Sequence, residues 1–340
     1  MTEEVVTSSA QNHFARYSHI ESELIIDGCQ PNQLPDLSVM IPTFRRPHLL
    51  KEAIESVVNQ TAHGINIEIV IVDNDAETNS SELASLVESF FNNNIRLFRN
   101  KENIGMFGNW NRCIELARAP KLTILNDDDL LHPEFIKITN NLSKQKAICV
   151  ACVQFKERNE LHWSTRTKII NRALTCADFF IGNPIPGSLG FVFNKKSALE
   201  LGGYSEVLWP TADYDFSYRY YRQFGINQTT IPLAGYRWQE NESMKVATLE
   251  GFLANDINFR KNIIREGKYS HIKIKMLCLL IDFMAVSAAI RYKEINTDFC
   301  IDKNLFKNKL PMFYATILNC FSFHRVFLKL ILRICKILMN

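Results

Sequence analysis

The chain of 340 residues is 46% hydrophobic and 22% charged. This composition excludes disorder of the whole chain and supplies enough apolar material for a large core in one domain or two. The formal charge of +3 is mild, and the absence of a long basic block with interleaved aromatic residues argues against a nucleic-acid partner. Nine cysteines, an odd number, do not make a disulfide framework and fit a reducing compartment.

No segment of the sequence predicts export or a membrane span. Residues 1–36 lack the basic start and apolar core of a signal peptide. The longest apolar segment, residues 276–290, is shorter than the ~18 to 20 residues that cross a bilayer and contains Asp282. We therefore expect a cytoplasmic protein.

From residue 37 onward, short apolar segments alternate with segments of helical periodicity. Strands are predicted at residues 37–41, 67–72, 95–99, 122–125, 147–155 and 189–193, and helices at residues 49–60, 81–91, 109–117 and 214–224. Continuous apolar strands that alternate with helices are typical of a parallel sheet covered on both faces. From residue 242 the pattern is helical.

Polar residues follow the ends of the first four predicted strands. They are Pro42, Thr43 and Phe44 after the first, Asp73 after the second, Asn103 and Gly105 after the third, and residues 126–129 after the fourth. Because ligands of such sheets bind at the carboxyl ends of the strands, we expect these residues to meet at one rim. The chain has neither a dinucleotide-binding glycine fingerprint nor a P-loop, so any nucleotide is held in another way.

Three consecutive carboxylates, Asp127, Asp128 and Asp129, directly follow an apolar strand. Unpaired buried charges cost several kcal/mol each, so a cation is expected among them, and a hard divalent ion, Mg²⁺ or Mn²⁺, with substrate phosphates would serve. The alternative is a solvated acidic turn before a helix that begins near Pro133. Polar groups at four strand ends are more than an acidic turn requires, and this favours the metal site.

Taken together and in this order, these segments resemble glycosyltransferase family 2. The resemblance covers residues 37–237 and rests on residues 38–47 (SVMIPTFRRP), 56–61 (SVVNQT), 69–74 (IVIVDN), 103–105 (NIG) and the acidic cluster followed by Pro133. It implies an α/β fold of the GT-A (Rossmann-like) type. We therefore expect a mainly parallel sheet flanked by helices, with a helical C-terminal region.

The resemblance also implies roles for the residues at the rim. Asp73 would accept a hydrogen bond from the nucleotide base, typically uracil. The same donor pocket would be lined by Pro42, Thr43, Phe44, Arg45, Asn103 and Gly105. Within the acidic cluster, Asp129 is the first choice for the metal, and Asp127 and Asp128 share the ribose and the remaining metal contacts. Asn126 leaves the register open, because many relatives have an Asp at this position.

In the second half of the chain, residues 202–206 (GGYSE) lead to Asp213, which by similarity is the catalytic base. Ala212 stands where relatives often have Glu. The alternative is that Asp213 only caps the following helix, whose dipole would keep the carboxylate ionised. Trp238 and Gln239 stand where relatives often have a His, so no third metal ligand is assigned. The turn-rich residues 183–188 are expected to line the acceptor side.

The predicted function is an inverting, metal-dependent transfer of sugar from a nucleotide diphosphate, such as a UDP-sugar, to a hydroxyl of a glycan or lipid-linked acceptor in cell-surface polysaccharide synthesis. One alternative is a sugar-phosphate nucleotidyltransferase, although its glycine-rich loop is absent after Ile41. The other is a non-catalytic binding protein on a decayed transferase fold, which the changes at Ala212 and Gln239 would fit.

The predicted organisation has four parts. They are an extension (residues 1–36), a nucleotide-sugar-binding half (37–145), an acceptor and catalytic half (146–240) and a helical region (241–340). Near the C-terminus, Arg325, Lys329, Arg333 and Lys336 form a basic stripe on an apolar helix. Either residues 313–340 contact the inner face of the plasma membrane, or this helix packs on the catalytic domain with its stripe in water.

Overall fold

The computed structural model describes residues 12–30, 33–62, 64–77, 81–143, 146–163, 170–239, 242–300 and 333–339. The chain divides into two compact units. Unit 1 comprises Met1–Leu174, Ile185–Val207 and Ala212–Gln239, and unit 2 comprises Thr175–Pro184, Leu208–Thr211 and Glu240–Asn340. The predicted boundaries after residues 36, 145 and 240 stay predictions.

Unit 1 contains the β-sheet and most of the short helices. The strands are β1 (Ser22–Asp27), β2 (Leu37–Thr43), β3 (Ile67–Asp73), β4 (Ile95–Asn100), β5 (Lys121–Ile124), β6 (Leu130–Leu131), β7 (Ala147–Phe155), β8 (Asn171–Ala173), β9 (Phe191–Asn194) and β10 (Ile226–Arg237). The helices of both units are α1 (Pro47–Val58), α2 (Ser81–Glu88), α3 (Gly105–Leu116), α4 (Phe135–Leu142), α5 (Cys176–Ile181), α6 (Lys195–Glu200), α7 (Ala212–Phe224), α8 (Val246–Glu266) and α9 (His271–Ile295).

Within the described residues, the strands form one mixed sheet with the order β1-β4-β3-β2-β5-β9-β7-β10-β6, and β8 also pairs with β10. The four strands β4, β3, β2 and β5 run parallel. β9 is antiparallel to β5 and β7. These four strands therefore have the parallel arrangement that the alternation of strands and helices predicts.

Helix packing on the sheet follows from the spacing of apolar residues. In α1, Leu50, Ala53, Ile54 and Val57 recur at helical spacing and are buried. They belong to one core cluster with inward residues of β2 and β3, such as Val39 and Ile69. Burial of each large aliphatic side chain contributes about 1.5 to 3 kcal/mol. This packing fixes α1 directly after the carboxyl end of β2.

The structure confirms the predicted α/β fold and shifts several element bounds. β7 has the predicted bounds, whereas β2 extends two residues farther, to Thr43, and α3 begins at Gly105 rather than near residue 109. β1, for which no strand was predicted, pairs antiparallel with β4 at the edge of the sheet. Its exposed residues alternate little with buried ones, so the sequence carried only a weak strand signal.

Glu68 lies near the start of β3, at the end of the strand away from the rim. Its carboxylate is fully buried and surrounded by hydrogen-bond donors. It pairs with Arg96 Nη2 at 2.8 Å and Arg118 Nε at 3.0 Å. It also accepts hydrogen bonds from Ser38 Oγ and from the Arg118 backbone N–H. Burial raises the pKa of Glu68, but these partners together outweigh it, and the pKa is lowered below its usual value. The ionised carboxylate is thus the stable form in the folded protein.

In unit 2, α8 and α9 are consecutive helices, and Arg260 of α8 ties α5 to them. Its guanidinium donates to the carbonyl oxygens of Phe180 at 2.8 Å and Ile181 at 3.2 Å. In the described part of the chain, no helix is long and apolar enough to cross a membrane. Residues 333–339 are helical, but most of the predicted contact segment 313–340 lies outside the described residues.

The Glu68 network predicts the effect of Glu68→Gln. Loss of one partner from a buried ion pair typically costs about 3 to 5 kcal/mol, so the free energy of unfolding should fall by this amount at pH 7. A lowered carboxyl pKa adds stability above the unfolded value of 4.5 and loses it as pH falls through the folded value. The difference between variant and wild type should therefore shrink below pH 4.5.

Urea unfolding followed by circular dichroism at several pH values measures this difference. Glu88→Gln, at an exposed position of α2, is the matched control and should change stability little. An unfolding free energy of Glu68→Gln that equals wild type at pH 7 would contradict the assignment.

Candidate active site at the carboxyl rim of the sheet

The carboxyl ends of β2, β3 and β5 converge. Thr43 pairs with Asp73 in the register of β2 and β3. Leu125 N, just after β5, donates to Met40 O at 2.9 Å, so the acidic cluster continues beside β2. As a result, Thr43 Oγ1 donates to Asp127 Oδ2 at 2.8 Å. The sequence prediction that these residues meet at one rim is thus met for Thr43, Asp73 and Asp127.

Asp73 is buried and held from both sides. Arg99, its cross-strand partner on β4, donates from Nε to Oδ2 at 2.9 Å, and Asp75 N donates to Oδ1 at 3.0 Å. Burial raises the pKa of Asp73, although these two donors oppose the rise. The carboxylate is therefore fixed in orientation at the end of β3, where a nucleotide base would need a defined acceptor.

Arg45 lies beside this position, held by acidic side chains. Its guanidinium donates to both oxygens of Asp75, at 2.8 and 3.0 Å, and to Glu77 at 2.7 Å. The Arg45 backbone has a positive φ of 57°, a conformation that L-residues adopt at a cost. The guanidinium also lies over the Phe44 ring, 4.9 Å from its centroid.

Asn103 and Gly105 form hydrogen bonds with Asn74, the residue that follows β3. Asn74 Nδ2 donates to Asn103 Oδ1 at 2.8 Å and to Gly105 O at 3.2 Å. Asn103 Oδ1 also accepts from Gly105 N at 2.9 Å, and Gly105 has a φ of 73° that favours glycine. These contacts fix the turn that begins α3. In the structure Asn103 thus lies in the turn between β4 and α3, and Gly105 begins α3.

The acidic cluster is paired mainly with Arg46, at the N-terminus of α1. Arg46 Nη2 lies 2.6 Å from Asp127 Oδ1, and Arg46 Nη1 donates to Asp128 Oδ2 at 3.0 Å. Asp127 is buried, whereas the Arg46 side chain is 39% exposed. Gln239 Nε2 also donates to Asp128 Oδ2, at 3.0 Å. No role was predicted for Arg46 from the sequence. Gln239 was noted only as a departure from the family pattern, where relatives often have a His.

Asp129 is the most enclosed carboxylate of the cluster. Its Oδ1 accepts from the backbone N–H of Arg237 and its Oδ2 from Asn126 Nδ2, both at 2.9 Å. Burial, and then the nearby Asp128 carboxylate, raise the pKa of Asp129 to about 8. Burial also raises the pKa of Asp127 to about 6, although Arg46 opposes this rise. These shifts mean that the partners do not fully compensate the cost of ionised carboxylates at these buried positions.

The donor set fits a hard divalent cation. With all three carboxylates ionised, as metal binding would require, the cluster and Arg46 would carry a net charge of −2, and the buried Asp127 Oδ1 accepts no hydrogen bond of good geometry despite its contact with Arg46. Oxygen ligands of this kind suit Mg²⁺ or Mn²⁺. Among the described residues, however, no group of three or more His, Cys, Asp or Glu side chains has the arrangement of a preformed metal site. The carboxylates would have to turn, and Arg46 would have to leave them.

Arg237 supports the cluster from β10, a role that was not predicted from the sequence. Its Nε donates to the backbone oxygen of Asp128 at 2.9 Å, and its Nη2 pairs with Glu52 of α1 at 2.5 Å. Its guanidinium lies over the Phe155 ring at 4.6 Å. An Arg that ends a long apolar strand was the available signal, since a buried guanidinium requires acceptors.

Asp213 occupies the first turn of α7, and its Oδ2 accepts a hydrogen bond from Gly187 N at 2.8 Å. The Gly187 carbonyl in turn accepts a long hydrogen bond, 3.4 Å, from Asn126 Nδ2. Gly187 has a φ of 64°, which favours glycine at this turn. Asp213 is thus connected to the acidic cluster through two residues, Gly187 and Asn126. Pro42 lies within β2 opposite Val72 of β3, next to Thr43.

An α/β domain whose central strands are parallel and end in these carboxylates has the GT-A fold of nucleotide-sugar glycosyltransferases. Residues 38–202 match the model of glycosyl transferase family 2. This part of the chain belongs to that family.

Three known proteins illustrate the similarity. Abequosyltransferase RfbV of Salmonella typhimurium is 25% identical over 193 residues, covering 54% of this chain and 56% of the relative. Staphylococcus aureus TarS 1-349 in complex with UDP-GlcNAc gives a TM-score of 0.54 at 14% identity, covering 76% of this chain and 81% of TarS. Mannosyltransferase PcManGT from Pyrobaculum calidifontis in complex with GDP-Man and Mn²⁺ gives a TM-score of 0.52 at 15% identity. The match covers 95% of this chain and 91% of PcManGT.

The two structural likenesses show the fold alone. The chain spans only 56 to 60% of the length of the first curated relatives that it matches.

The Arg46 contacts predict that this side chain competes with a divalent cation for Asp127 and Asp128. Arg46→Gln should therefore raise the affinity for Mn²⁺ in the absence of nucleotide, by roughly three- to tenfold for a partly exposed ion pair. Titration with Mn²⁺, with the free ion followed by electron paramagnetic resonance, measures this affinity.

Arg45→Gln is a matched control, because it removes the same charge from the adjacent residue, which pairs with Asp75 and Glu77 instead. It should leave the Mn²⁺ affinity unchanged. An equal affinity in Arg46→Gln and wild type, or an equal rise in both variants, would exclude the competition.

Proposed function

We propose that this protein is an inverting glycosyltransferase that moves a sugar from a nucleotide diphosphate donor, a UDP-sugar, to a hydroxyl of a glycan or lipid-linked acceptor. The observation that carries the proposal is the set of carboxylates in unit 1. Asp73, the 127–129 cluster and Asp213 come from distant parts of the sequence, and hydrogen bonds connect the last two through Gly187 and Asn126.

The donor half of the proposal rests on Asp73 and its surroundings. An oriented carboxylate that retains acceptor capacity suits the imide N–H of a pyrimidine base such as uracil. Pro42 and Thr43 end the neighbouring strand β2, and Phe44 follows them. Arg45, Asn103 and Gly105 would stand at the edges of the same donor site. TarS in complex with UDP-GlcNAc has the same fold, which supports a UDP-sugar for this chain.

The metal half rests on the uncompensated charge of the acidic cluster. We propose Asp129 and Asp127 as ligands of Mg²⁺ or Mn²⁺ and Asp128 as the ribose or second metal contact. The PcManGT complex with GDP-Man and Mn²⁺ supports use of a divalent ion. When bound, such an ion would stabilise the negative charge of the departing diphosphate as a Lewis acid. Arg46, released from Asp127 and Asp128, would add a cation near the same phosphates.

The acceptor half rests on Asp213. A hydroxyl that attacks the anomeric carbon must lose its proton, and a carboxylate opposite the leaving group accepts it. Gly187 N–H, 2.8 Å from Asp213 Oδ2, fixes the orientation of the carboxylate. A single displacement of this kind inverts the anomeric configuration. As the setting of the reaction we propose cell-surface polysaccharide synthesis at the cytoplasmic face of the membrane; the abequosyltransferase among the relatives supports only the transfer of a sugar.

The first test is binding of UDP with and without Mn²⁺ by isothermal titration calorimetry. We expect Mn²⁺ to increase the UDP affinity at least tenfold, and Asp129→Ala to remove this increase because it deletes a ligand. Glu82→Ala, an exposed acidic residue of α2, is the control and should behave as wild type. The transferase proposal fails if UDP and GDP do not bind, or if binding ignores both Mn²⁺ and Asp129→Ala.

The second test concerns the base. Asp213→Asn should lower transfer to acceptor by roughly 10²- to 10⁴-fold while UDP affinity stays within about twofold, since general-base catalysis contributes this much. Asp215, two residues along α7, pairs with Arg219 at 2.7 Å. Asp215→Asn should instead lower the thermal unfolding midpoint without a selective loss of turnover. Loss of UDP binding in Asp213→Asn would make Asp213 a structural residue.

A further inference from the structure

The charge of this chain is divided unevenly along its length. Residues 261–340 contain fourteen Lys and Arg and five Asp and Glu, a net charge of +9, whereas residues 1–260 carry −6. The mild total of +3 therefore conceals an acidic part, which contains the carboxylate rim, and a strongly basic C-terminal part. Asymmetry of this size indicates a polyanionic partner for the basic part.

The connection between α8 and α9 is the described part of this basic region that combines cations with exposed apolar side chains. We call residues 261–276 the α8–α9 corner. Its cations are Lys261, Arg265, Lys268, Lys273 and Lys275, and its acidic residue is Glu266. Four of these five cations are exposed, and Lys273 is half-buried. The corner therefore presents a net charge of about +4 over the end of α8, the connection and the start of α9.

Two apolar side chains stand among these cations. Ile272 is 72% exposed and Met276 is 43% exposed. They are four residues apart on the first turns of α9, so they share one face of the helix, with Lys275 beside them. The opposite face, with Leu277, Leu280 and Ile281, is buried within unit 2. The outward face of α9 thus pairs apolar and cationic groups at its N-terminal end.

Helix stability does not account for this arrangement. α9 has no acidic residue in its first turn, and Lys273 and Lys275 lie where the helix dipole is positive. Cations at a helix N-terminus are unfavourable by a few tenths of a kcal/mol to about 1 kcal/mol. An exposed Ile adds an unfavourable contact with water. An external anionic and partly apolar surface would offset both costs.

We propose that the α8–α9 corner docks on the surface of an anionic lipid bilayer. Lysine side chains near an anionic leaflet gain about 1 kcal/mol each, and an exposed Ile or Met can enter the region between headgroups and acyl chains. Nucleic acid also offers phosphates, but it gives Ile272 and Met276 no apolar phase. Residues 301–332 carry a net charge of +4 themselves, so charge complementarity does not favour them as the occupant of the corner.

The described end of the predicted C-terminal helix has a different environment. Cys335 is buried, and Lys336 Nζ lies 3.8 Å from Asp178 Oδ1 of α5, within unit 2. One cation of the predicted basic stripe is therefore paired with the protein. This contact favours the α8–α9 corner over residues 333–339 as the lipid-facing surface.

The test is flotation of the full-length protein with phosphatidylcholine vesicles, with and without about 30% phosphatidylglycerol. We expect at least tenfold more binding to the anionic vesicles, and a steep loss when salt is raised from about 0.1 M to 0.5 M. Lys273→Glu with Lys275→Glu should lower the partition coefficient at least tenfold. Lys146→Glu with Lys196→Glu makes the same charge change at exposed positions of unit 1 and should change binding less than twofold.

A second pair of variants tests the apolar contact. Ile272→Asp should lower binding about tenfold, whereas Leu34→Asp, at a 79% exposed position of unit 1, should leave it unchanged. Hydrogen exchange of residues 267–276 should slow on addition of anionic vesicles. Slow exchange of residues 268–270, which lie outside both helices, in the absence of vesicles would mean that the protein itself covers the corner.

Several outcomes would overturn the proposal. They are equal binding of corner and control variants, binding that ignores lipid charge, coverage of the corner without vesicles, and protection of residues 267–276 by a homopolymeric RNA but not by vesicles. Vesicle binding needs no donor and no Asp213. The lipid contact and the transferase activity can therefore fail independently.

Discussion

Repulsion among the carboxylates at one rim of the sheet is the constraint on which the rest of unit 1 depends. Asp127 and Asp129 are buried beside Asp128, and burial alone would force them to take up protons. The fold supplies fixed partners. Arg46 forms ion pairs with Asp127 and Asp128, and the backbone N–H of Arg237 donates to Asp129. These partners lower the repulsion without abolishing it. The proposed divalent cation and diphosphate donor would let all three carboxylates ionise.

The same hydrogen bonds connect the two acidic sites. Asn126 donates to Asp129 and to the Gly187 carbonyl, and Gly187 N–H donates to Asp213. A change in the acidic cluster on donor binding would therefore be felt by the loop that orients Asp213. Gly187 permits this connection because its positive φ turns its N–H toward Asp213 and leaves its carbonyl for Asn126. The loop that orients Asp213 is thus tied to the acidic cluster by one long hydrogen bond.

Much of unit 1 was predictable because its signals are local. The apolar segments that became β3 and β7, and the periodic spacing of Leu50, Ala53, Ile54 and Val57 in α1, reflect which residues avoid water. Strand β1 was missed because its side chains are mostly exposed, and its pairing with β4 depends on residues far along the chain. The antiparallel insertion of β9 between β5 and β7 likewise has no local signature.

By itself, the sequence determined the α/β class, the family and the residues that end the parallel strands, because periodicity and motif order are properties of neighbouring residues. Only the tertiary structure decided which cations neutralise the rim. Arg46 and Asp127 are 81 residues apart, and Arg237 and Glu52 are 185 apart. It also decided that exposed Ile272 stands among lysines rather than in a core. The physical reason is that ion pairing and burial depend on distance in space, and chain folding, not sequence spacing, sets that distance.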